Sequence, residues 1–256
     1  MADKPLILVT NDDGLTAPGI RTLIKIMNTL GEVVVVAPDS PQSGMGHAIT
    51  VDATLHVRQE QVDDGPQIEY STSGTPADCV KLAKHEILKR VPDLCVSGIN
   101  HGSNSSINVI YSGTMSAAIE AGIEGIPAIG FSLCDYSWEA NFKTVEKHVK
   151  VISQNVLKHG LPKDVVLNVN FPNVEKIKGI KICRQAKGNW SEVFDKRQNP
   201  NGKNYYWLSG KFVNLDKGED TDEWALKNGF TSVVPVQFDL TAHHCIQNLN
   251  SWSLND

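Results

Sequence analysis

The sequence predicts an α/β fold built on a doubly wound, mostly parallel sheet, with a projecting β-hairpin arm and a C-terminal extension. Three observations carry that reading. Four continuous apolar runs, Leu6-Ile7-Leu8-Val9, Val33-Val34-Val35-Val36, Leu94-Cys95-Val96 and Ala128-Ile129-Gly130-Phe131, have the composition of strands buried on both faces, as parallel strands are. Between them apolar residues recur at helical spacing, which gives alternating strand and helix and right-handed crossovers. Residues 184–218 then turn polar and rich in Gly, Asn and Lys, interrupted by Tyr205-Tyr206-Trp207-Leu208, a pattern that reads as a hairpin.

Each element has its own signal. Ile20, Leu23, Ile24, Met27 and Leu30 mark a first helix that stops at Gly31. The alternation of Ile49, Val51, Leu55 and Val57 within 47–60 reads as strands, as does Ile68 to Tyr70. Thr75-Pro76-Ala77-Asp78 is a capping box with proline at the first helical position, opening a helix through Val80, Ala83, Ile87 and Val91 that ends before Pro92. Met115, Ala118, Ile119, Gly122 and Ile123 form a stripe of mostly small residues; Phe142, Val145, Val149, Ile152 and Val156 form a longer one ending at Gly160. Val165 to Phe171 and Ile180 to Cys183 are further strands, and Val233 to Val236 and the tail close the chain. The organisation expected is one domain over 1–256: a core of about 1–183, an arm of about 184–218 and a C-terminal segment of about 219–256.

The 256 residues carry Lys+Arg 24 against Asp+Glu 29, a formal charge of -5, with 41% hydrophobic residues. A chain of this length removes roughly three quarters of its extended surface from water. Net negative charge without a Lys/Arg block argues against a nucleic-acid polymer as partner, because that grip depends on neutralising phosphates. No segment reaches the length of a membrane span, and the short apolar run after Met1 to Pro5 is no signal peptide, so a cytoplasmic location is expected. The five cysteines, Cys79, Cys95, Cys134, Cys183 and Cys245, are widely spaced without a CxxC pair and read as free thiols rather than as zinc ligands.

The unusual residues follow the strands. Asn11-Asp12-Asp13-Gly14 comes after the first, Pro38 to Gly44 after the second, and Ser97-Gly98-Ile99-Asn100 closes the Leu94 strand. In an open α/β sheet the carboxyl ends of the strands face one crevice, so these segments converge. They bring Asp12, Asp13, a hydroxyl from Ser43 or Ser40, and the amide oxygen of Asn100, an all-oxygen set suited to Mg²⁺, Mn²⁺ or Ca²⁺. Asp12 and Asp13 share one ion only where the chain leaves strand geometry, for which Gly14 offers a turn. The same tetrapeptide also reads as an Asx turn with a helix cap. Tyr111-Ser112-Gly113-Thr114 leads into the Met115 helix, whose free N–H groups suit a phosphate, and equally forms a plain N-cap. There is no Walker A run, GxGxxG or GxSxG, and His243 and His244 read as tail histidines.

Taken in order, Asn11-Asp12-Asp13-Gly14, Ala37-Pro38 to Ser43-Gly44, Gly74-Thr75-Pro76-Ala77-Asp78, Ser97-Gly98-Ile99-Asn100, Tyr111-Ser112-Gly113-Thr114, Asn168-Val169-Asn170-Phe171-Pro172 and Asp220-Thr221-Asp222 closely resemble the SurE (survival protein E) family of metal-dependent 5'-nucleotidases. The resemblance spans almost the whole chain and is weakest at about 138–163 and through the arm. It implies a Rossmann-like three-layer α/β/α core, with the hairpin and C-terminal segment used to assemble a homodimer or homotetramer. It also implies one Mg²⁺ or Mn²⁺ per subunit on Asp12, Asp13, Ser43 and Asn100. The phosphate then reaches Asn100, Ser112, Gly113 and Thr114, and Asp12 is the catalytic residue, orienting water, acting as base or attacking phosphorus itself. The substrates implied are nucleoside 5'-monophosphates, with 3'-nucleotides and short polyphosphate alongside. Ser105-Ser106-Ile107-Asn108 departs from the Gly and Asp carried there by many relatives, which leaves substrate range less defined than metal binding. A non-catalytic nucleotide or phosphate sensor and a broad phosphatase are the rival readings.

Overall fold

The computed structural model describes residues 4–254. In chain order the elements are β1 (Leu6–Thr10), α1 (Pro18–Met27), β2 (Glu32–Pro38), β3 (Val57–Glu60), β4 (Ile68–Thr72), α2 (Pro76–Leu82), β5 (Leu94–His101), α3 (Gly113–Ile123), β6 (Ala128–Leu133), α4 (Glu146–His159), β7 (Val165–Phe171), β8 (Ile180–Ile182), β9 (Gly188–Gln198), β10 (Asn204–Asn214), α5 (Asp222–Lys227), β11 (Thr231–Gln237) and α6 (His243–Leu249). Nine strands form one sheet in the order β3-β4-β2-β1-β5-β6-β7-β11-β8, and β9 and β10 form the hairpin. The pairs from β4 through β7 are parallel; β3 joins β4 and β11 joins β7 antiparallel.

The period of two in a strand sorts the apolar runs into two layers. Ile7 and Val9 of β1, with Val33, Val35 and Ala37 of β2, pack under α1 and α4. Leu6, Leu8, Val34 and Val36 face the opposite way, toward α2 and α3. Every residue of β1 and of β6 is buried, which only a sheet covered on both faces allows. Each fully buried Ile or Leu contributes about 1.5–3 kcal/mol relative to exposure.

Two expectations shift. Of residues 47–60 only Val57–Glu60 pairs in the sheet. Side chains capture the other backbone groups: Asp78 accepts from Thr50 N, and Ser73 Oγ from His56 N. The helix expected to reach Val91 ends instead in a wide turn over Ala83–Ile87, beyond which Leu88 is extended. Its opening is as expected, with Thr75 and Asp78 bonded reciprocally and Pro76 first. All five cysteines are free thiols, and Cys79, Cys95 and Cys183 are buried. No helix of the described residues is long and apolar enough to cross a membrane.

Candidate active site

The carboxyl ends of β1, β2, β5 and β6 lie along one edge of the parallel sheet, and the singled-out residues gather there. After β1 the chain turns at Gly14, whose φ of +95° is a conformation that favours glycine. The Asn11 side chain closes the turn by donating to Gly14 O (2.9 Å). The chain thus leaves strand geometry directly after the two aspartates.

Asp12 is 4% exposed and lies against the start of α3. Thr114 Oγ1 donates to Asp12 Oδ1 at 2.5 Å, and a Cβ on Gly113 would fall 2.8 Å from Asp12 Oδ2. Ser112 is the N-cap of α3, its Oγ accepting from Met115 N (3.0 Å), which leaves its hydroxyl hydrogen unused by the cap. The loop after β2 is tied to the same place, with Gln42 N donating to Asp12 O (2.7 Å) and Gly46 N to Tyr111 O (3.2 Å). Ser43 is exposed on that loop. Ser40 is turned toward its neighbour, its Oγ donating to Asp39 Oδ1 (3.0 Å), so Ser43 is the freer hydroxyl of the two.

Asn100 follows a register shift between β5 and β6. Its Nδ2 donates one hydrogen to Gly102 O (2.9 Å), which fixes the amide and leaves the second hydrogen and the oxygen. The next residue, His101, donates its backbone N–H to Asp13 Oδ2 at 3.4 Å. The His101 ring is clamped by Trp138, stacked at 5.1 Å, and by Phe142, edge-on at 5.0 Å. Its Nδ1 meets Ser137 O (2.8 Å), which makes Nδ1 the protonated nitrogen.

The electrostatics explain what this arrangement lacks. Burial first, and the neighbouring Asp13 second, push the Asp12 carboxyl up to about 7, against the pull of the Thr114 hydroxyl. Burial likewise raises Asp13, opposed by His101. No lysine or arginine pairs with either carboxylate among the described residues. Two adjacent, desolvated carboxylates without a cation are a destabilising arrangement unless a positive charge completes it. The buried Asn11 Oδ1 beside them also has no hydrogen-bond partner. No group of three His, Cys, Asp or Glu forms among the described residues, so the oxygens at hand besides the two aspartates are those of Ser and Asn side chains. This donor set fits a hard divalent ion.

Several supporting residues escape sequence reasoning. Asn170 Oδ1 accepts from Asn104 N, Asn168 Nδ2 donates to Asn104 O, and Asn104 Nδ2 donates to Ser132 Oγ, so β7 holds the loop that follows β5. Farther along that loop Ser106 has a positive φ of 54° and donates its N–H to Asp222 Oδ2 (2.8 Å). Asp222 Oδ1 accepts from Ala186 N (2.9 Å), Ser106 Oγ donates to Ala186 O (2.8 Å), and Trp190 Nε1 donates to Asn108 Oδ1 (2.8 Å). The root of the hairpin is thereby bonded to the segment leading into Ser112. The Asn168-Val169-Asn170 and Asp220-Thr221-Asp222 motifs were the available signal for this scaffold. His243 pairs with Asp239 (2.9 Å) at the exposed end of the chain, in keeping with a tail histidine.

Comparison with known proteins bears on the family and the fold. A model of the family described as Survival protein SurE matches residues 7–192. The chain is 70% identical over 254 residues to the protein named 5'-nucleotidase SurE from Flavobacterium psychrophilum, covering 98% of this chain and 99% of that one. It is 70% identical over 256 residues to its namesake from Christiangramia forsetii, covering 99% and 98%. The crystal structure of the SurE protein from Aquifex aeolicus superposes with a TM-score of 0.83 at 41% identity, over 96% of this chain and 98% of that one. With its doubly wound core, its hairpin and its ordered strand-end motifs, this chain belongs to the SurE family.

Proposed function

We propose that the protein is a divalent-cation-dependent 5'-nucleotidase, a phosphomonoesterase that hydrolyses nucleoside 5'-monophosphates to nucleoside and phosphate. The observation that carries this reading is the packing of buried Asp12 against the first residues of α3, which sets a carboxylate pair beside an anion-binding helix start. The names of its full-length relatives support the same reaction. Residues 1–183 hold the chemistry, 184–218 the arm and 219–256 the C-terminal segment of one cytoplasmic domain. The exposed Tyr205 and Trp207 of the arm suit assembly into a homodimer or homotetramer.

On this reading Asp12, Asp13, Ser43 and Asn100 hold one Mg²⁺ or Mn²⁺ per subunit. When bound, such a cation neutralises phosphoryl charge and acidifies water. The N–H of Gly113, the Ser112 hydroxyl and the second Nδ2 hydrogen of Asn100 take the remaining phosphoryl oxygens. Both the hydroxyl and the backbone N–H of Thr114 are turned to the Asp12 carboxylate, so Thr114 serves the phosphate through Asp12. Asp12 orients the attacking water and accepts its proton. Direct attack by Asp12 on phosphorus would instead leave a phosphorylated Asp12 peptide, and mass spectrometry of rapidly quenched turnover is expected to find none.

The experiment is phosphate release from nucleoside 5'- and 3'-monophosphates, short polyphosphate and p-nitrophenyl phosphate, with EDTA, Mg²⁺ or Mn²⁺. Cation-dependent release favouring 5'-nucleotides is expected. Equal rates with p-nitrophenyl phosphate would replace the reading with a broad phosphatase. Nucleotide-dependent thermal stabilisation with no release would replace it with a sensor.

A further inference from the structure

A cavity of about 330 Å³ lies between the hairpin and the turn before α3, lined by Asn108, Tyr111, Trp190, Glu192, Leu208 and the backbone of Gly210. We propose that it is the subsite for the nucleobase, so that the hairpin reads the base while the core handles the phosphate; this rests on the nucleotidase reading above.

Position comes first. Tyr111, half-exposed on the cavity wall, is followed directly by Ser112, the cap of the helix that takes the phosphate. The cavity wall and the helix start are thus joined by one peptide unit, about 3.8 Å from Cα to Cα. The volume lies in the range of small-molecule sites.

Chemistry comes second. Tyr111 and Trp190 supply aromatic surface and Leu208 aliphatic surface, the surroundings in which bases stack irrespective of sequence. An indole N–H can only donate, so Trp190 fixes Asn108 with its oxygen toward the indole, and the amide's NH₂ is what remains to donate to a ligand. Glu192 adds an acceptor. In the hairpin register Glu192 stands opposite Gly210, with Leu208–Phe194 and Phe212–Trp190 as the flanking pairs on the same face. A carboxylate in the middle of an apolar face disfavours a second phosphate site and a purely apolar protein partner alike. It suits a heteroaromatic ring that carries N–H donors.

Preorganisation comes third. Asp222 and Ser106 bond the hairpin root at Ala186, and Phe212 packs edge-on to Trp190 at 6.1 Å. The walls are thus held in place without a ligand.

The test compares guanosine 5'-monophosphate with ribose 5-phosphate, which lacks the base, on the full-length Mn²⁺-loaded enzyme. The native enzyme is expected to prefer the nucleotide in kcat/KM. Trp190→Leu should lower that preference at least about fivefold, mainly through KM for the nucleotide, and Trp190→Phe should restore part of it. Glu192→Gln should cost substrates with an exocyclic amino group more than uridine 5'-monophosphate. An unchanged preference in Trp190→Leu and Glu192→Gln would overturn the proposal. So would variants whose only effect is an altered subunit number by light scattering, which would assign the cavity to a second copy of the chain. Equal kcat/KM for nucleotide and ribose 5-phosphate in the native enzyme overturns the base subsite alone. Absence of phosphate release from every substrate overturns the nucleotidase reading and the subsite with it.

Discussion

Thr114 Oγ1 donates a 2.5 Å hydrogen bond to Asp12 Oδ1, and both side chains are buried. On the proposed reading the bond orients the carboxylate that would hold the cation, so Thr114 would act on it through Asp12. In Thr114→Val that oxygen loses its donor in a buried setting, and Mn²⁺ affinity should fall about 10–100-fold, the usual effect of losing a partner of a metal ligand. Thr114→Ser should recover most of it. Isothermal titration with Mn²⁺ checks both; equal affinity in Thr114→Val would remove the orienting role.

Gly113 is set by contact. A Cβ there would lie 2.7 Å from Asp12 Cβ and 2.8 Å from Oδ2. Gly113→Ala must push Asp12 out of place, and displacement of a reacting group by about 1 Å costs on the order of 10²-fold in rate. The expected result is that loss in kcat with an unchanged circular dichroism spectrum. Near-native turnover would mean that Asp12 is free to move.

The raised Asp12 carboxyl makes a pH prediction. Its ordinary value is 3.8, and in the folded chain burial and Asp13 push it up to about 7. The folded state therefore holds this proton more tightly than the unfolded state, and its contribution to stability is lost as pH rises from about 4 to about 7. The cation-free protein should show a lower Tm at pH 8 than at pH 5. Asp12→Asn, which removes the titration, should raise Tm at pH 8 and leave it little changed at pH 5. Mn²⁺ should stabilise the native protein more at pH 8, where no proton competes for the carboxylate. Differential scanning fluorimetry across pH measures all three.

Asp222 accepts from three backbone N–H groups, those of Ala186, Glu223 and Ser106. An asparagine can satisfy the first two with its oxygen, but then turns its NH₂ toward the N–H of Ser106. Asp222→Asn should lower unfolding free energy by about 2 kcal/mol, as loss of a buried bond to a charged acceptor does. Urea denaturation reads that cost. Because Ser106 leads into Ser112, inhibition by inorganic phosphate should weaken in the same variant.

The fold was legible where one physical rule dominated. Leu6 to Val9 and Val33 to Val36 could only be two-sided strands, and the structure divides their alternate residues between two layers. Thr75-Pro76-Ala77-Asp78 announced a helix start and makes one. Ile49 and Val51 misled because alternation is only a necessary condition for a strand; both are exposed, and Asp78 takes the backbone group between them. In the candidate site, the meeting of Asp12 and Asp13 with the loop after β2 and the end of β5 followed from strand ends, whereas the packing of Asp12 on the α3 start did not. Asn168, Asn170, Asp222 and Trp190 were opaque, because their roles depend on pairings across 64 to 116 residues of sequence that no local spacing encodes.

The strand order also sets when the molecule can form. β1 is flanked by β2, its neighbour in sequence, and by β5, where Ile7 pairs with Leu94. During synthesis the first strand emerges with an open, wholly apolar edge and stays so until residues near 94 leave the ribosome. Long-range parallel pairing of this kind is slow to nucleate and exposes strands to wrong partners in the interval. The two-sided burial that makes the finished core stable thus leaves the growing chain exposed until β5 pairs, and a fragment ending before β5 is expected to aggregate rather than fold.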